Sequence, residues 1–103
     1  MIAEKLLMSV GRHPVTKGFG LENLNLQRTE RGSIVVNGQM ESSLPGVYVC
    51  GDLTGFSLLA HTAVREAEVA VHAILGKEDR MSYAAIPGVV YTNPEIAGVG
   101  QTE

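Results

Sequence analysis

The chain has no tryptophan, a single cysteine and only 5% aromatic residues among its 103 positions. Cys50 alone cannot close an internal disulfide, and one thiol does not complete a zinc site without several distant partners. No stretch approaches the roughly 20 apolar residues that span a bilayer, and no signal-peptide pattern stands at Met1. Repeats, low-complexity runs and blocks of like charge are missing too. The formal charge of −3 excludes the broad basic field of a nucleic-acid binder. What is there is ordinary for a folded protein, with 45% apolar and 18% charged residues. A chain of this length is one small domain with a modest core, or parts of two larger ones. These totals lead to the expectation of a cytoplasmic setting.

Along the chain, Leu6-Leu7-Met8-Ser9-Val10 is a short apolar run stopped by Gly11, the pattern of a buried strand ending in a turn. Gly18, Gly20, Asn23 and Asn25 mark a loop with a turn of helix near Leu21 to Leu26. Ile34-Val35-Val36, fenced by Gly32 and Gly38, predicts a short strand or one arm of a hairpin. After the Pro45-Gly46 turn, Val47-Tyr48-Val49-Cys50 predicts a second buried strand, halted by Gly51-Asp52. In that strand Cys50 is expected as a small buried residue rather than a nucleophile.

The clearest helix runs from Leu58 to Leu75, where Leu59, Ala63, Ala67, Ala70 and Ile74 recur at three- and four-residue spacing. Ser57 stands where an N-cap belongs and Gly76 where a C′ glycine belongs. Glu68 precedes His72 by four positions, a spacing that favours pairing on the helix surface. From Lys77 to Ala85 the chain turns polar, then Val89 to Thr92 predicts another strand, so a boundary is expected near residues 77 to 86.

The strand, Gly51-Asp52, loop and helix in succession form the strongest local arrangement. In open α/β sheets ligands settle at the carboxyl ends of strands, beside helix N-termini. Gly51 would let a ligand approach the backbone, and the Asp52 carboxylate could accept hydrogen bonds from its hydroxyls. The first helix amides, Leu58 to His61, lack intrahelical acceptors and could donate to a carbonyl or an anionic ring edge. Those features suit a polyhydroxylated, partly anionic molecule. A Gly-Asp pair after a strand is equally a common turn, with the aspartate bonding its own backbone. Arg12 and His13 have the chemistry to meet phosphates, and are also ordinary loop cations.

Val10-Gly11-Arg12-His13-Pro14, Val47 to Asp52, Leu58-Leu59-Ala60-His61, Ile86-Pro87 and Tyr91-Thr92-Asn93-Pro94-Glu95 follow in a definite order and spacing. Over nearly its whole length the chain resembles the pyridine nucleotide–disulfide oxidoreductases, and within them the dihydrolipoamide dehydrogenase branch most closely. The resemblance implies an α/β fold: part of a Rossmann-like FAD/NAD(P)-binding domain plus the first strand of an α+β dimerisation domain. Residues 1–11 would end the NAD-binding domain, 12–83 would be the second half of the FAD-binding domain, and 84–103 would open the dimerisation domain. It further implies FAD at Gly51, Asp52, Leu58, Leu59, Ala60 and His61, with Asp52 on the ribityl hydroxyls, and NAD near Gly11.

The family's reaction, oxidation of protein-bound dihydrolipoamide with electrons passed through FAD to NAD, needs a redox pair of cysteines with four residues between them and a His–Glu pair. Neither pair is in this sequence, and both glycine-rich pyrophosphate loops are missing. The expectation is therefore a piece of a larger homodimeric enzyme, inactive in isolation. The expected partner is the lipoyl-bearing carrier of a 2-oxoacid dehydrogenase or glycine cleavage complex. A glutathione-reductase-like or NADH-oxidase-like flavoenzyme and a non-catalytic α/β binding or dimerisation module are the alternatives.

Overall fold

A computed structural model describes residues 2–101. Met1, Thr102 and Glu103, which fall in the two end segments expected from the sequence, lie outside the described residues. The central part is a meander of short extended segments joined by single antiparallel bridges, Arg28 to Ile34, Val36 to Ser42 and Glu41 to Tyr48. Its turns follow from their residues. Asn37 Oδ1 accepts from the amides of Gln39 and Glu41, at 2.8 and 3.1 Å, and so closes the turn between Val36 and Ser42 on itself. Pro45-Gly46 makes the next, with the Val47 amide donating to the Leu44 carbonyl at 3.1 Å and Gly46 at φ 78. The extended segments predicted at Ile34–Val36 and Val47–Cys50 are both in this meander, but as bridges rather than as strands of a parallel sheet. All pairings among the described residues are antiparallel.

Helix α1, Ala60–Ile74, packs over the meander. Its buried face is Thr62, Glu66, Val69 and Ala70. Of the predicted apolar stripe only Ala70 is buried, and Ile74 is 61% exposed. Hydropathy spacing missed this rotation because two of the inward residues are polar. Their burial is tolerated where hydrogen bonds await them, and those partners come from outside the helix. The helix begins two residues later than expected. Leu59 is its N-cap without a side-chain bond, while Ser57 Oγ pairs with Thr62 Oγ1 at 3.0 Å instead of capping. The C-terminus is as the sequence predicts. Gly76, at φ 69, sits at C′, with Lys77 N donating to His72 O at 2.9 Å and Gly76 N to Ala73 O at 3.0 Å.

Two small clusters make the core. Leu26, Ile34 and Val49 pack with Leu53 on one side, and Met40, Val69 and Ala70 with Met81 on the other; Val36 touches both. The polar segment after the helix folds back along it. Arg65 grips Asp79 with two bonds, 2.6 and 2.9 Å, and His72 Nδ1 lies 2.7 Å from the same carboxylate. The pairing expected between Glu68 and His72 does not form: Glu68 meets Arg65 at 3.3 Å, and His72 instead meets the Asp79 carboxylate that the chain reversal brings to it. Met81 N then donates to Gly38 O at 2.9 Å, stitching this segment to the meander.

The ends differ from expectation. Leu6 to Val10 is not a buried strand; it has no regular structure, and Leu6, Leu7 and Val10 are 87–88% exposed. A strand needs a neighbour for its backbone groups, and among the described residues none pairs with this run. The predicted strand at Val89 to Thr92 appears as β1, Gly88–Val90, antiparallel to β2, Ile96–Gly98, with Val89 opposite Ala97. Every residue of this hairpin is exposed.

Candidate functional site

The meander's last segment runs through Val49 into a four-residue 3-10 turn, Gly51–Thr54. Thr54 Oγ1 donates to the Gly51 carbonyl at 3.0 Å, and Gly55, at φ 74, closes the turn with its amide on the Asp52 carbonyl at 3.3 Å. Glycine is required there twice over. The backbone is left-handed, and a Cβ on Gly55 would stand 2.8 Å from that of Ser33. Beneath the turn lies Glu66, fully buried, accepting from Gly51 N at 2.5 Å and Tyr83 Oη at 2.8 Å, while Thr54 Oγ1 stands 3.3 Å from it and shares its one proton between this carboxylate and the Gly51 carbonyl. Burial, and then the hydrogen bond to Glu66 and its charge, push the Tyr83 hydroxyl well above the ordinary phenol range, so it stays a donor. Its ring stacks on Phe56 with centroids 4.7 Å apart.

Outward from the turn, the Asp52 side chain is half exposed, with the Arg12 guanidinium 3.6 Å away. The two stand on the wall of a cleft of about 870 Å³, whose lining includes Gly11, Leu58, Arg31 and Ser33. A carboxylate accepts only; guanidinium groups donate only. The cleft therefore offers acceptors for hydroxyls beside donors for anions, the combination a sugar-alcohol phosphate such as the ribityl diphosphate part of FAD requires. Leu58 leads from this wall to the start of α1. There the first intrahelical bond is Ala63 N to Leu59 O at 3.0 Å, so the amides of Ala60, His61 and Thr62 have no acceptor within the helix.

Of the residues singled out in the sequence, Gly11, Asp52 and Leu58 share the cleft. Leu59 and Ala60 are exposed at the helix start. His61 turns away, its Nε2 3.1 Å from the Pro87 carbonyl. Gly51 faces the protein rather than open space: its amide meets Glu66, and a Cβ there would lie 3.5 Å from that of Ala63. Cys50, expected to be buried, is exposed, because the strand ends before it and the residue caps the 3-10 turn. Partial desolvation of the thiol by its neighbours, then the Glu66 charge, raise it above the ordinary value. Among the described residues no group of acidic, histidine and cysteine side chains could hold a metal ion. Glu66, Arg31 and Ser33 were not singled out from the sequence. The one available signal for Glu66 was its spacing, four after Thr62 and three before Val69 on a single helix face.

A model of the pyridine nucleotide-disulphide oxidoreductase family matches residues 1–67. The chain belongs to that family. It is 48% identical over its full length to a dihydrolipoyl dehydrogenase of Thermus scotoductus, covering 22% of that protein. It is 43% identical over 98% of its length to dihydrolipoyl dehydrogenase 1, mitochondrial, of Arabidopsis thaliana, covering 20% of it. The crystal structure of LpdA from Mycobacterium tuberculosis superposes with a TM-score of 0.83 at 32% identity, over 92% of this chain and 21% of that one. The chain thus spans about a fifth of the length of the relatives it matches.

Proposed function

We propose that this chain is the part of a dihydrolipoyl dehydrogenase that holds the middle of FAD, with Asp52 accepting from the ribityl hydroxyls. The observation that carries the reading is the shared cleft: Asp52, Leu58 and Gly11 line one wall system, with Arg12 beside the carboxylate. The two relatives named above are dihydrolipoyl dehydrogenases, which supports a dihydrolipoyl group as the substrate. We place that group on a carrier protein. Bound there, FAD supplies two-electron redox chemistry between a dithiol and NAD. This chain's own share is binding and electrostatics. Asp52 would hold the ribityl chain, Arg12 would offset the carboxylate charge and supply donors for phosphate, and the uncapped amides of Ala60 and His61 would supply donors to an anionic ring edge. There the positive helix end favours negative charge, by about 0.3–1 kcal/mol at exposed sites. Gly11 borders the path of NAD. Residues 12–83 then form the second half of an FAD domain, following the last strand of an NAD domain, and 84–103 open a dimerisation domain in a homodimer. The carrier belongs to a 2-oxoacid dehydrogenase or glycine cleavage complex.

The test is Asp52→Asn in the full-length protein. FAD affinity is expected to fall about tenfold or more, the scale of a lost hydrogen bond to a charged group. Equal affinity of the two proteins in a flavin-fluorescence titration rejects Asp52 as the ribityl acceptor.

A further inference from the structure

Glu66 has no place in the chemistry above, yet it is the most thoroughly buried acid among the described residues. None of the ion pairs among those residues involves it. A buried carboxylate without a cation is expensive unless donors surround it, and here they come from separate places in the chain. Gly51 N is the amide immediately before Asp52. Thr54 Oγ1, at the far end of the same turn, lies 3.3 Å from Glu66 Oε1 and 3.0 Å from the Gly51 carbonyl. The carboxylate therefore grips both ends of the turn whose second residue is Asp52. Tyr83 Oη, 2.8 Å from the same oxygen, comes from beyond the helix, and its ring stacks on Phe56 just after the turn.

We propose that Glu66 is a positioning residue for Asp52: it sets the Gly51–Thr54 turn from the inside, held in register by Tyr83, so that the Asp52 carboxylate meets a ribityl chain. The proposal rests on the flavin reading of the cleft. Glu66→Gln keeps the size of the side chain but places an amide where one donor now finds an acceptor.

The experiment is a double-mutant cycle on the full-length protein, with FAD affinity read by flavin fluorescence for the wild type, Asp52→Asn, Glu66→Gln and the double variant. Glu66→Gln is expected to weaken FAD about tenfold. Because it acts through Asp52, the double variant is expected to bind no more weakly than Asp52→Asn alone. A second readout needs no flavin: the Gly51 amide proton is expected to move upfield and to exchange faster in Glu66→Gln. Should Glu66→Gln fail to fold, Tyr83→Phe enters the same cycle with a smaller loss and the same non-additivity. Losses that add, or a Gly51 amide that does not respond, overturn the positioning role while leaving the flavin site standing. No loss from Asp52→Asn alone overturns the flavin reading, and the proposal with it.

Discussion

Asp52 and Cys50 are two positions apart and meet opposite conditions. Asp52 points into the cleft with a cation beside it. The Cys50 thiol is raised by partial desolvation and by the Glu66 charge, so less of it is thiolate at neutral pH. Its alkylation by iodoacetamide at pH 8 is expected to run slower than that of a cysteine in an unstructured peptide. Glu66→Gln, which removes one cause of the shift, is expected to speed it; an unchanged rate in that variant would remove Glu66 as a cause. At Gly55 the constraint is steric. Gly55→Ala drives a methyl into Ser33 on a left-handed backbone, and a loss of about 1–3 kcal/mol is expected in urea unfolding.

The elements are held mainly at their ends. Gly76 has open space around its Cα, so the cost of Gly76→Ala is conformational alone, about 1 kcal/mol, measurable as a lower urea midpoint. Asp79 fastens the segment beyond it. The Arg65 guanidinium, and then His72, hold its carboxyl far below the ordinary carboxylate range. A pKa depressed by folding adds stability that is fully present above the unfolded value near 3.8 and is lost as pH falls toward the folded one. The wild type is thus expected to lose stability on acidification from pH 5 to 3 more steeply than Asp79→Asn, which starts lower at pH 7. Parallel acid profiles in chemical denaturation would sink this assignment.

For the whole molecule, the Cα radius of gyration is 17.0 Å, against about 13 Å for a compact chain of this size. The leading run and the hairpin carry exposed apolar side chains, among them Leu7, Val10 and Ile96. A two-stranded hairpin is marginal in water by itself. The 103-residue chain alone is expected to self-associate through these surfaces, seen as a mass above 11.0 kDa in light scattering. It is also expected to reduce no NAD with dihydrolipoamide, having one cysteine where a redox disulfide needs two. A monodisperse, catalytically active monomer would contradict both.

Local chemistry made several features legible in the sequence. The Pro45-Gly46 turn and the Gly76 helix end follow from backbone preferences of single residues, and the helix's existence follows from its propensities and periodicity. The motifs from Val10 to Glu95 identified the family, because order and spacing survive where three-dimensional contacts are unseen. The tertiary structure alone decided which way the helix faces, since Thr62 and Glu66 are admitted to the interior by donors and acceptors from Ser57, Gly51, Thr54 and Tyr83. It likewise decided that Arg12 meets Asp52 across forty residues of chain, and that Leu6 to Val10 stays without a ladder. Hydropathy measures a residue's own preference for water, whereas burial of a polar group depends on which partners the fold delivers to it.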